Sequence, residues 1–468
     1  MGHCMVAAEG CGPARAVSGL SLPTPLLNMA SNYQINLSEQ LRLLHHIGYL
    51  DRDMRYQHPG AHRKRMSPRD VDNHRELRLL DSIAVALTTG KPGDVFAAAF
   101  DKREHMELVL AKNGPPTSED IAAANELFSL IASPTVTNAL HLFPFLIRRC
   151  GENINKRILK LHASIESAEL RSDFTSSLQA YVPEANIRVE FPGFSGNHLC
   201  GKYGDGSFLT AWNNLVEDIT SMTSHGLDAE DPISSKRKYG NLCLSADALA
   251  RSRFLQTLLD DRCFLNVGRT ERVEKLKRRL DKICQYMSGI THLIRKAKRL
   301  LPISHHWVMD AFTGTGEGVY NLCDSPHDVV ARGLRQPSLS RECVDKLHER
   351  FPFILNGWGR RQTVHAYVHA ELRIIFHLDP TSAFPLAHPI GVSKRSCLCC
   401  TLWIGLCNRL LGTGWLTSGC HGKPHPNWAI PSASEDGIDD LLLGEVRARL
   451  VDVFGWLFPD QMPDDEYA

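Results

Sequence analysis

One Cys-x-x-Cys occurs in these 468 residues, at Cys397 and Cys400, and a His-x-Glu pair, His369 and Glu371, precedes it. Zinc takes nitrogen and thiolate ligands in a tetrahedron: a structural site closes all four corners with protein, and a catalytic one keeps a corner for water. One imidazole and two thiolates supply three corners. A carboxylate two residues past the imidazole reaches a water at the fourth without ligating the metal. The chain therefore has to fold so that two distant segments meet.

His-x-Glu alone is weak evidence, because His74-Arg75-Glu76 and His105-Met106-Glu107 also match. Both stand in charged stretches that read as helical, with no cysteine pair downstream, and read as solvated helix faces. Thr363 to Val368 is β-branched and aromatic, as a buried strand would be, and His369 then opens a helix that runs on until Pro380. His388 to Val392 is a second apolar segment. A helix from Cys397 through Leu410 follows, stopped by Gly412. Both ligand sets thus fall where a strand hands over to a helix N-terminus. Unpaired N–H groups and the positive dipole end there favour thiolates. A closed alternative is also written in the chain: Cys397-x-x-Cys400 with His421-x-x-x-His425 has nearly the ligand spacing of a structural zinc finger.

The order strand, HAE helix, strand, SCxxC helix resembles the cytidine deaminase-like superfamily, whose base deaminases pair H-x-E with C-x-x-C. The wording VHAEL, IGVSKRSCLCC and SGCHGKPHPNWAIP is most similar to a fungal branch of it, over residues 340 to 435. The resemblance implies an α/β C-terminal domain, three-layered with a mixed sheet, in which His369, Cys397 and Cys400 hold Zn2+ and Glu371 shuttles a proton. It also implies hydrolytic removal of the amino group of cytosine or adenine, in nucleic acid or as a nucleoside or nucleotide. His421 and Trp428 become candidates for the substrate-pocket wall, with plain core the competing role for Trp428. Ser396 stands where many members carry Pro, and Cys399 adds a third thiol, so the ligand choice stays open.

Ahead of that domain the chain reads as mainly helical. Residues 1–34, rich in Gly, Pro, Ala and Ser, read as a flexible lead-in, and 35–300 as a helical domain. Residues 301–458 form the deaminase-like zinc domain and 459–468 an acidic tail. Asn36 and Glu39 suggest a capping box, Ser67-Pro68 a helix start reaching Thr88, and further helices fit 118–132, 151–171 and 207–222. Asn186 to Phe191 reads as a strand and Gly196 to Lys202 as a Gly-rich turn, since Tyr203 stands where a P-loop needs a hydroxyl on Mg2+. Gly314, Gly316 and Gly318 suggest a flexible loop, and 224–240 an exposed linker. From Val273 to Leu301 apolar residues keep a heptad seam whose outer face carries Lys275, Lys277, Arg278, Arg279 and Lys282, then Arg295, Lys296, Lys298 and Arg299. That face is either a phosphate-contacting surface or a solvated helix side. Ile438 to Leu457 reads as an amphipathic helix.

Formal net charge is +1, so the whole molecule is no polyanion sponge. Fourteen scattered cysteines and no long apolar span suggest a reducing compartment, cytoplasmic or nuclear, and no membrane partner. Two function classes remain: a zinc hydrolase acting on a nucleoside or nucleic acid, or a structural zinc module in a scaffold whose helical region binds a protein partner.

Overall fold

A hairpin of β1 (Phe96–Asp101) and β2 (Glu107–Lys112) forms the middle of the larger sheet. The computed structural model describes residues 24–51, 54, 68–184, 186–193, 208–225, 232–260, 267–297, 304–309, 315–323, 325–359, 362–378, 387–431 and 437–455. Side chains alternate across a strand, and here the two sides feed two cores. Phe96, Ala98, Phe100, Leu108 and Leu110 enter one core, and Ala97, Ala99, Val109 and Ala111 the other. The sheet is therefore buried on both faces.

The first core is filled by α2 (Pro68–Leu87) and a helical stretch that follows the hairpin. That stretch comprises α3 (Ser118–Ala132), α4 (Phe143–Ile165), α5 (Ala168–Ala180), α6 (Phe208–His225), α7 (Pro232–Arg251), α8 (Arg253–Asp260), α9 (Val267–Cys284) and α10 (Ile290–Ala297). The second core takes α1 (Thr24–His46) and the C-terminal elements: β4 (Gly318–Asn321), α11 (Pro326–Gly333), α12 (Arg341–Arg350), α13 (Phe353–Trp358), β5 (Thr363–Ala366), α14 (Ala370–His377), α15 (Leu398–Leu410) and α16 (Ile438–Phe454). With β3 (His305–Trp307), β6 (His388–Val392) and β7 (Trp415–Thr417) the sheet order is β3-β2-β1-β6-β7. β1 is antiparallel to β2 and β6, while β2–β3 and β6–β7 run parallel. The result is a mixed sheet between two helical layers, as the resemblance implies.

A boundary at residue 300 runs through this sheet, because β1 and β2 precede it and β6 and β7 follow it. The 1–34 lead-in also ends sooner than expected. α1 begins at Thr24, and Gln34 is fully buried, donating from Nε2 to the Trp428 carbonyl (2.9 Å) and accepting from Ile430 N–H (2.8 Å). Asn36 and Glu39 form no capping box, since both lie inside α1. The buried Glu39 carboxylate instead accepts from Cys323 N–H (2.6 Å) and from Arg332.

Other local expectations shift for readable reasons. The 151–171 helix breaks between α4 and α5, where the Ser167 hydroxyl caps Leu170 N–H. Asn186 to Phe191 is no strand: the Asn186 side chain caps a helical turn, Ile187–Glu190. The 224–240 linker is cut short because Pro232 starts α7. The heptad seam is interrupted by a π-turn at Gln285–Gly289, which turns Tyr286 inward and leaves Met287 partly buried. His105 and Met106 lie in the turn between β1 and β2, not on a helix. Among the described residues Thr363–Ala366 pairs only with β4, in a two-stranded ribbon whose residues alternate exposed and buried. Gly318 begins β4, and Gly316 N–H donates to Ile430 O (2.7 Å), so the later part of that glycine run is pinned. Ser67, Gly196 to Lys202, Gly314, Lys298, Arg299 and the 459–468 tail lie outside the described residues.

α2 crosses β6 so closely that a Cβ on Gly391 would collide with the Leu80 and Asp81 backbone. Backbone cannot yield as a flexible side chain does. Gly391→Ala is therefore expected to cost at least about 3 kcal/mol in denaturant unfolding. Gly405→Ala, on an exposed and uncrowded position of α15, should be neutral or stabilising by up to about 1 kcal/mol. The same crossing places the Asp81 carboxylate where it accepts from Val392 N–H (2.8 Å), and burial pushes its pKa up to about 7 against the opposing hydrogen bonds from Val392 and Ser418. The native state then holds this proton more tightly than the unfolded chain does, so stability falls as pH rises from about 4 to about 7. Asp81→Asn, which keeps an acceptor for Val392, should flatten that part of the unfolding free energy measured against pH.

Candidate metal centre

His369 is the N-cap of α14 and Cys397 the N-cap of α15, both with extended backbone. Cys397 Sγ accepts from Cys400 N–H (3.4 Å), which closes the first turn of α15 around the sulfur. Cys400, one turn on, projects from the same end. His369 Nδ1 stands 3.6 Å from Cys397 Sγ and 3.3 Å from Cys400 Sγ. All three ligand atoms lie within 4.8 Å of one another, and all three residues are buried.

These distances suit zinc. With Zn–S near 2.3 Å and Zn–N near 2.05 Å, a tetrahedron sets N···S at about 3.6 Å. Among the described residues this is the one His/Cys/Asp/Glu group gathered tightly enough to hold a metal, and it extends to none of Cys399, His421 or His425. The closed finger with His421 and His425 is not what the chain folds into. Cys399, fully buried, faces the charges of Cys420 and Arg449 as well as that of Cys397.

Electrostatics separate the thiols. Burial opposes ionisation of Cys397, but its hydrogen bond with Cys400 and the His369 charge hold it well below the usual thiol range. Burial pushes Cys399 and Cys400 up. Trp428, with no exposed surface, donates its indole N–H to Cys400 Sγ (3.2 Å) and so partners the sulfur that is harder to ionise.

Glu371 sits in the first turn of α14, 2 % exposed, with Cys397 and Cys400 among the groups acting on its carboxyl. Burial, the largest influence, raises its pKa. A buried carboxyl with a perturbed pKa beside the His/Cys/Cys group, yet outside it, marks a candidate functional residue.

The strand-to-helix turn at His369 is clamped by residues that carry no motif. Val368 N–H donates to Glu317 Oε1 (2.8 Å), and Arg373, buried one turn into α14, pairs with the same oxygen (3.4 Å). Asn113, just past β2, accepts from Ala370 N–H (2.9 Å) and donates to Gly93 O (3.1 Å). The Tyr367 ring stacks on His369 with centroids 5.5 Å apart, and His425 meets its other flank edge-on at 6.0 Å. His421 stands 5.4 Å from His425, and burial pushes its imidazole down to about 4, so it is neutral near pH 7. Nothing local in the sequence marks Asn113 or Glu317, which reach the site only through the sheet and the β4 ribbon.

Comparison with known proteins agrees with this geometry. A family model described as OTT_1508-like deaminase matches residues 368–432, a span that opens one residue before His369 and takes in Cys397, Cys400, His421, His425 and Trp428. No curated protein and no solved structure matches the chain. The matched family is one of deaminases, which hydrolyse C–N bonds, and the gathered His/Cys/Cys group is one that can hold the metal such chemistry uses.

Metal analysis of purified variants discriminates the ligands. Cys397→Ser, Cys400→Ser and His369→Ala are each expected to lose bound zinc, whereas Cys399→Ser and His425→Ala should retain about one ion per chain. Loss of zinc from the His425 variant would place a fourth protein ligand on the ion.

Proposed function

We propose that this chain is a zinc-dependent hydrolase that removes the exocyclic amino group of a nucleobase, with His369, Cys397 and Cys400 as ligands and Glu371 as proton carrier. The observation that carries the reading is the buried Glu371 carboxyl, standing beside a three-ligand group with no fourth protein ligand among the described residues. A purely structural site has no use for that carboxyl, and burying it costs stability. The family match adds the reaction class.

Bound zinc supplies a Lewis acid that brings water toward ionisation at neutral pH. Everything else falls to the chain's own side chains. Glu371 accepts a proton as the water oxygen bonds to C4 of a cytosine or C6 of an adenine, and passes it to the adjacent ring nitrogen. The second water proton travels by the same carboxylate to the departing amino group. The carbon–nitrogen bond breaks, ammonia leaves, and a carbonyl remains. Trp428 donates its N–H to the Cys400 sulfur, which favours the thiolate that zinc would bind against the burial that opposes it, and serves as packing rather than as a face for a base. Tyr367, His425 and the neutral His421 are the residues placed to line the approach. Asn113 and Glu317 fix the His369 turn, so the imidazole and Glu371 move as one body.

Zinc-loaded Glu371→Gln is expected to keep its metal and to lose ammonia release from the responsive cytosine- or adenine-containing substrate by about 10²–10⁴-fold. Undiminished release in that variant would remove Glu371 from the chemistry and return the site to a structural role.

A further inference from the structure

The helical stretch between β2 and β3 also brings a group of cations to the metal centre, though the whole chain is nearly neutral. α4 and α9 are locked side by side: Arg157 donates to Lys282 O (2.7 Å), and Arg279 reaches across to Lys160 O and the Ser164 hydroxyl. This leaves Lys160 and Lys282, both exposed, on neighbouring helices. The turn Ser393–Ser396 then adds Lys394 and Arg395 immediately ahead of Cys397. That turn is held firmly. Ser393 N–H donates to Phe96 O (2.9 Å), its hydroxyl accepts from Phe96 N–H (3.0 Å), and Ser396 N–H donates to Gly419 O (3.1 Å).

The cations form one field. Crowding by protein, then the charges of Arg157, Arg395, Lys160 and Arg278, pull the Lys282 ammonium down to about 8. Burial, first, lowers the Lys394 pKa; the Asp94 charge opposes this while Lys156 and Lys160 add to it, and the charge of Lys394 acts in turn on His425, which touches the His369 ring. The acids nearby are otherwise engaged: Glu152 pairs with Lys156, Asp281 with Lys277, and the buried Asp94 with Lys112. No carboxylate lies within ion-pair distance of Lys160, Lys282 or Lys394 among the described residues. Lone cations crowded into mutual repulsion call for an anion from outside.

We infer that Lys160, Lys282, Lys394 and Arg395 form a track for the phosphates of a single-stranded polynucleotide, leading its base toward the His369 centre. The extent of the track favours a polymer over a mononucleotide. Lys160 and Lys282 stand on two helices whose axes are about 8–10 Å apart, and Lys394 and Arg395 stand on the turn ahead of Cys397. A single phosphate neutralises one end and leaves the other bare. The inference names the substrate class of the site proposed above and rests on that reading for its chemistry, but its test reads binding alone.

The test uses the full-length, zinc-loaded Glu371→Gln protein and fluorescently labelled 20-nucleotide single-stranded RNA and DNA, titrated by anisotropy at several salt concentrations. Each phosphate contact on a single strand contributes about 0.7 to the slope of log K against log salt. The triple variant Lys160→Ala, Lys282→Ala, Lys394→Ala should therefore lower the slope by about 2 and weaken binding roughly 100-fold at 0.1 M salt. The exposed triple Arg341→Ala, Lys346→Ala, Arg350→Ala on α12, an element of the second core, carries the same charge change and should bind within a factor of about two of the parent. Equal weakening by both triples, no weakening by the first, or displacement of the labelled strand by a nucleoside monophosphate as readily as by unlabelled 20-mer would each overturn the inference. Track-dependent binding without ammonia release from wild-type protein would sink the chemistry and leave the track standing. Release from free nucleosides alone, with no strand bound, would do the reverse.

Discussion

Two helix N-termini, those headed by His369 and Cys397, meet beside one edge of the second core, and the site exists because they do. Each terminus has backbone N–H groups without helical partners. Cys400 N–H spends its own on Cys397 Sγ, while Ala370 N–H is taken by Asn113. A thiolate is thereby favoured at one terminus and an imidazole is oriented at the other. Three soft ligands converge within the compass of one small ion.

That meeting depends on the sheet. β6 feeds the Cys397 turn and pairs with β1, while the end of β2 supplies Asn113 to the His369 turn. The hairpin thus couples the two ligand-bearing segments, although it lies more than 250 residues ahead of either in the chain. The close crossing of α2 at Gly391 holds the other face, and the large helical layer beyond it buries that face. A region that reads as a separate appendage is structurally continuous with the site.

The ligand segments were legible because their signal is local. His369, Cys397 and Cys400 carry spacing, caps and flanking apolar runs that speak for themselves, and Gly412 ends α15 with φ +67°, as its sequence position suggests. The middle strands were not. Phe-Ala-Ala-Ala-Phe alternates nothing, because both its faces are buried, and alanine argues for helix when only neighbours are read. Asn36 and Glu39 imitate a cap, but Glu39 is claimed by Arg332 and Cys323 from nearly 300 residues away. The heptad seam held its period until the π-turn at Gln285–Gly289 rotated Tyr286 inward. The cationic face of α9 divides: Lys277 is paired on the helix itself and Arg279 is tied to α4, while Lys275 and Lys282 are exposed. Long-range partners decided each case, and a single sequence records none of them.

The central claim is a three-ligand zinc centre with one corner left to solvent, and X-ray absorption on the zinc-loaded full chain tests it most directly. Two sulfurs at about 2.3 Å and two lighter scatterers at about 2.0–2.1 Å are expected, only one of the lighter pair showing the outer-shell signature of imidazole. Three or more sulfurs, which would bring Cys399 onto the ion, or a second imidazole closing the last corner, would contradict it.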